Sequence, residues 1–248
     1  MHSSILDMFG NGIDQQFTFF GDSMPHGDQQ HREFLRGTPY HPTQSDQPSL
    51  LAIILLTDKD DCSAGAKGNL DFLEHPETAP KGIAEQPPNL RCYYDDVNQT
   101  GYKYPVERYI DAFKALRPGY EQLVVFAAIA GIPTDMKMRN FDANADGSID
   151  SQEREVFYDA LFSHSLMQPT IAEDGQNLNP ACQVITQSTT PPPDVTEYEI
   201  VAKAYPARRL AEVARGFGEN GIIESLCQAD FSAVETIVKA MAKHFGSP

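Results

Sequence analysis

Basic residues are scarce in this sequence: 19 Lys and Arg stand against 35 Asp and Glu, a formal net charge of −16. That balance disfavours nucleic acid and anionic membrane surfaces as partners, because both are bound through cations. It suits cation binding, although a solvated acidic surface is the commoner cause of such a charge. No apolar run approaches the roughly 18 residues that a transmembrane helix needs. The N-terminal MHSSILDMFGNG has neither a cationic start nor a sustained apolar stretch, so no signal peptide is expected within this chain. The four cysteines, Cys62, Cys92, Cys182 and Cys227, contain no CxxC pair. A tight zinc site is therefore disfavoured, and spacing leaves two disulfides or four buried thiols equally open. The histidines form no His-x-x-x-His ligand pair, and no glycine-rich phosphate loop or nucleophile elbow occurs.

What is present is a globular composition, 41% hydrophobic over 248 residues, enough for a real core in one large domain or two small ones. The stretch LLAIILLTDKDDCS, Leu50–Ser63, joins an unbroken apolar run to a cluster of acids. Such a run suits a strand buried on both faces of a parallel sheet. Ligands in open α/β sheets bind beyond the carboxyl ends of strands, where Asp58, Asp60 and Asp61 would stand. A polar stretch from Ala64 to Thr100 reads as an extended excursion loop. Pro105 opens a helix with Val106, Tyr109, Ile110, Phe113 and Leu116 on one face. Leu123–Ala130 is a second buried strand. Pro206 starts a further helix bearing Leu210, Val213, Ala214 and Phe217, Gly221–Leu226 is a third strand, and a last helix begins at Ser232.

The order predicts an α/β fold with a doubly wound, mainly parallel sheet. Residues 1–49 are weakly patterned, with a short strand expected at Phe17–Phe20 and a short helix at Gln29–Leu35. Residues 50–131 and 200–246 form the α/β domain, and 132–199 is an insertion in which the rhythm pauses.

The insertion carries the most specific motif of the chain. DANADGSIDSQE, Asp142 to Glu153, fills the EF-hand pattern. Asp142, Asn144 and Asp146 offer side-chain oxygens, Gly147 permits the sharp turn and Ser148 offers its carbonyl. Asp150 can act through water, and Glu153 can close the site with both oxygens. Oxygen-only ligands in a flexible loop select calcium over magnesium. Met138 and Phe141 would end a short incoming helix after Pro133. Val156, Phe157, Ala160 and Leu161 would face the core from an outgoing one near Gln152–Phe162. No second loop occurs, so a structural clip is expected rather than a sensor pair.

Three stretches, LLAIILLTDKDDCSAG, LVVFAAIAG and ARRLAEVARGFGENGIIESLCQADFSAVETIVKAM, resemble the C-terminal half of a von Willebrand factor type A domain. The likeness is greatest to exported, cysteine-containing type A domains of bacterial surface lipoproteins, and it covers roughly residues 34–130 and 200–245. The family holds a divalent cation at an adhesion site. Asp58, directly after Thr57, matches the last aspartate of that site. The Asp-x-Ser-x-Ser loop and the first strands are absent here, so Met1 is expected to be a late start, or the domain a degenerate one. Asp58 is then a candidate magnesium ligand at an incomplete site. The resemblance also implies an extracytoplasmic location (cell surface, periplasm or secreted) and paired cysteines, Cys62 with Cys92 and Cys182 with Cys227.

The expectation is a non-enzymatic, calcium-binding module for adhesion or protein interaction, its partner an unknown protein or cell-surface ligand. The alternatives are a fragment without independent function, and a hydrolase. Gly21-Asp22-Ser23, after an apolar run, resembles the nucleophile turn of GDSL-type serine hydrolases, with Ser23 as nucleophile. The downstream Gly-x-Asn-Asp and late Asp-x-x-His that such an enzyme needs do not occur.

Overall fold

Apolar runs that can bury both faces build the centre of this protein. β1 (Leu51–Leu56) and β2 (Val124–Ala130) pair in parallel, Leu51 beside Val124 and Leu56 beside Ile129. The computed structural model describes residues 50–63, 82–117, 119–187, 198–228 and 232–245; the strand and helix expected at Phe17–Phe20 and Gln29–Leu35 lie outside them. After the excursion come α1 (Arg91–Val97) and α2 (Val106–Lys114), and after β2 comes α3 (Ser151–Ser163). Then follow β3 (Cys182–Gln187), β4 (Tyr198–Ala204), α4 (Arg208–Gly216), β5 (Gly221–Ser225) and α5 (Ser232–Ala242).

β5 lies parallel to β2 on its far side, Phe126 beside Gly221, so the sheet runs β1–β2–β5. One face, carrying Leu51, Ile53, Phe126 and Ala128, packs on Tyr109 and Phe113 of α2 and on Leu210, Val213 and Ala214 of α4. Phe126 stacks between Phe113 and Phe217, with ring centroids 6.1 and 5.5 Å away. The other face, Val125, Ala127 and Ile222, packs on Ile237 of α5. The molecule is therefore mixed α/β, a three-stranded parallel sheet with helices on both faces. Each crossover brings its helix back on an apolar stripe at helical spacing, as the periodicity of 106–116 and 210–217 requires. Lys114 Nζ donates to the Gly216 carbonyl at 2.7 Å and joins the ends of α2 and α4.

α3, within the segment after β2, packs into this core. Phe157, Tyr158 and Leu161 of α3 are fully buried in the same apolar cluster as the sheet. Arg215 of α4 reaches Glu155 and Asp159 of α3, the latter at 3.0 Å.

Three local expectations change. The excursion expected to be all loop contains a short 3-10 turn, Pro88–Leu90, and α1. Its exit is held by buried Asp95, whose carboxylate accepts from Tyr102 N at 3.1 Å, Lys103 N at 3.2 Å and the Thr100 hydroxyl. The helix expected to enter the calcium loop is a 3-10 turn, Met138–Phe141. Pro133 supplies no N–H, and the few residues before the loop are too short a run to nucleate an α-helix. The stretch expected to be a loop up to Pro193 includes β3, and β4 takes up residues 198–204 as its antiparallel partner, with an irregularity between Val184 and Ile185. Strand pairing across an intervening segment is decided by contacts that periodicity does not report.

Candidate calcium loop and strand-end site

The loop 142–153 is built by its own carboxylates. Asp142 accepts from Asp146 N through Oδ1 at 3.2 Å and from Gly147 N through Oδ2 at 2.9 Å. Asn144 Oδ1 also takes Asp146 N, at 3.0 Å. The chain turns through positive φ at Ala145 (55°) and Gly147 (82°), and glycine at the second removes the side-chain clash of that conformation. Asp146 Oδ1 then accepts the N–H and the hydroxyl of Ser148 at 2.8 and 2.7 Å. The Ser148 hydroxyl, followed by its N–H, holds the Asp146 carboxyl below its ordinary pKa.

Glu153 closes the loop from the other end. Its Oε1 accepts from Ala143 N at 2.8 Å and its Oε2 from Asp150 N at 3.0 Å. Asp150 in turn accepts Glu153 N at 2.8 Å, so the last two acidic positions of the motif form the capping box that starts α3. Glu153 is buried, whereas Asp142, Asn144, Asp146, Ser148 and Asp150 are partly or fully open to solvent. Behind the loop, Phe141 meets Phe157 edge to face at 5.3 Å and ties the entering turn to the core. Among the described residues no three His, Cys, Asp or Glu side chains stand gathered as a ready-made metal cage. The loop carboxylates are engaged with backbone N–H groups, and those same oxygens are the ones a cation would draw inward.

The second expected site lies at the carboxyl end of β1. Asp58 is exposed there, and its carbonyl accepts Tyr205 N at 2.8 Å. The acids beside it have turned inward to organise α4. Asp60 accepts Arg209 N at 3.0 Å and Leu210 N at 3.2 Å, two N–H groups in the first turn of that helix. Burial, opposed by these hydrogen bonds, pushes the Asp60 carboxyl up to about 6. Asp61 takes the Arg209 guanidinium at 3.1 Å. Of the three acids Asp58 is the exposed one, and among the described residues no three His, Cys, Asp or Glu gather beside it.

A cavity of about 240 Å³ opens beside this strand end, lined among others by Lys59, Tyr93, Lys103, Asn177 and Tyr205. The Lys103 side chain is 5% exposed and pairs with Asp96 at 2.5 Å. The cavity occupies the crevice where open α/β sheets place ligands. Sequence reading found the strand end but neither the cavity nor Arg209. Asp61 and Arg209 are 148 residues apart, and no local signal connects them.

Cys62 faces Cys92, and Cys182 faces Cys227, each pair with Cα atoms 5.9 Å apart, within disulfide range. The first pair sits with Ile83, Tyr94 and Tyr102 in a small apolar cluster that anchors the excursion. The second ties the start of β3 to the residues after β5, where Ser225 Oγ donates to the Ile132 carbonyl at 2.7 Å. Ser23 lies outside the described residues. No helix among the described residues is long and apolar enough to cross a membrane. No family model matches the chain, nor does any curated protein or solved structure.

Proposed function

We propose that this protein is a calcium-binding, non-enzymatic extracytoplasmic module for adhesion or protein interaction. The observation that carries the reading is the loop 142–153. Glu153 accepts the Ala143 N–H, next to Asp142, and Asp142 accepts the Gly147 N–H, so the first and last acids of the motif each hold the loop in its turn. The ion serves as a clip: it fastens the turn 138–141 and the loop to the N-terminus of α3, whose other end is buried in the core. Two cysteine pairs at disulfide distance support an oxidising compartment. The parallel order β1–β2–β5, with Thr57-Asp58 at a strand end, supports kinship with the von Willebrand type A fold. Asp58 would be its remnant of a magnesium adhesion site.

Isothermal titration of the chelator-stripped protein with calcium tests the central claim. One site is expected, with affinity in the roughly 10⁻⁴ to 10⁻³ M range of extracellular modules. Asp142→Ala combined with Glu153→Gln should abolish the heat. No heat in the unmodified protein, or equal heat in the double variant, overturns the reading.

A further inference from the structure

A cleft of about 320 Å³ lies between the loop segment Gly147–Ile149, the start of β5 and one face of α5. Cations are scarce in this chain, yet Lys137, Arg139, Arg154, Lys239 and Lys243 all line this one cleft. Glu219, Glu224 and Glu235 share its walls. Glu235 is taken up by Lys239 at 2.7 Å, one helical turn away on α5. That leaves four cations against two acids in a protein whose overall charge is strongly negative.

Arg154 sharpens the imbalance. It is 7% exposed, and its Nη1 donates to Met138 Sδ at 3.0 Å and to the Gly221 carbonyl at 3.4 Å, both uncharged acceptors. Its Nε is buried and meets no acceptor. Among the described residues it makes no ion pair. A guanidinium keeps its charge at any relevant pH, and a buried charge without a counter-charge is costly. Lys137, Arg139 and Lys243 around the same space, against Glu219 and Glu224, leave the cleft with an excess of positive charge. An anion entering the cleft relieves both at once.

We propose that this cleft binds a phosphate-class oxyanion, with buried Arg154 as the anchor and Arg139, Lys137 and Lys243 completing the charge. Arg and Lys together suit such a ligand, the guanidinium as a planar fork and the ammonium as a mobile point charge. The volume falls within the range of small-molecule sites. The cations that form the site are in place without calcium.

The test is an NMR titration of the metal-free full chain at constant ionic strength. Two probes are used, inorganic phosphate and the phosphomonoester glycerol 3-phosphate. Saturable shifts are expected at the amides of Gly147, Ser148 and Thr236 and at the Arg154 Nε–H. Tighter binding of the ester marks an organic phosphate as the ligand, and equal binding marks the free ion; either supports the site. Arg139→Gln combined with Lys243→Gln, both exposed positions, should weaken binding roughly tenfold or more, with the circular dichroism unchanged. Shifts that fail to saturate with both probes, or equal affinity in the double variant, overturn the proposal. Arg154→Met alters a buried position, so the exposed pair carries the decision.

Discussion

Arg209, in the first turn of α4, places Nε and Nη2 on Asp61 Oδ2 at 3.2 and 3.1 Å, and its Nη2 also donates to the Tyr104 carbonyl. One guanidinium thus joins the end of β1, the approach to α2 and the start of α4. The Asp61 side chain is 4% exposed and that of Arg209 15%. Removing one partner of such a pair strands the other charge in a poorly solvated place. Asp61→Ala should therefore cost about 3 kcal/mol in denaturant unfolding. Asp58→Ala, three residues earlier but exposed, should stay within about 0.5 kcal/mol. Equal costs at the two positions would contradict this division of labour.

The Asp60 carboxyl, raised from 3.8 to about 6, makes a specific pH dependence. Between those values the folded state holds a proton that the unfolded state has released. The contribution of this group is therefore full below 3.8 and is lost as pH rises through about 6. Asp60→Asn removes the titration while keeping one oxygen for one of the two α4 N–H groups, a loss that is independent of pH. Relative to the unmodified protein, the variant should gain on the order of 2 kcal/mol between about pH 4 and about pH 7. A difference that stays flat over that interval would sink the assignment.

Glu153 serves two structures at once, the cation loop and the capping box of α3. Without calcium, Glu153→Gln should cost only about 1 kcal/mol, the scale of a helix cap. With calcium at about a hundred times its dissociation constant, the unmodified protein should gain about 2.7 kcal/mol and the variant nothing. Thermal melts with and without calcium read the two effects separately.

The Cys182–Cys227 pair closes a 45-residue separation. By the loop-entropy argument, replacing both by alanine should cost about 4 kcal/mol, less whatever structure the unfolded chain retains. A thiol count under denaturing, non-reducing conditions should find no free thiol among the four cysteines. Four free thiols would remove both bridges and the compartment argument with them.

The sequence by itself determined the units whose identity is local. Leu50–Leu56 and Leu123–Ala130 are apolar runs of strand length. β2 is buried on both faces as expected, whereas edge strand β1 leaves Ile54 and Leu56 exposed on one face, a correction to the expectation of burial on both. The stripes at 106–116 and 210–217 name the helices that cover the sheet. The motif 142–153 carries its own turn geometry, because Gly147 and the side chains of Asp142, Asp146 and Glu153 bond within a dozen residues. Only the tertiary structure decided what depends on distant partners. The acids after β1 look alike as neighbours in sequence, yet Asp60 and Asp61 are committed to α4 while Asp58 stays exposed, because Arg209 returns from far along the chain. The pairing of β3 with β4 and the convergence of cations around Arg154 are of the same kind. Each joins residues that periodicity and spacing treat as unrelated, and each is set by how the elements pack.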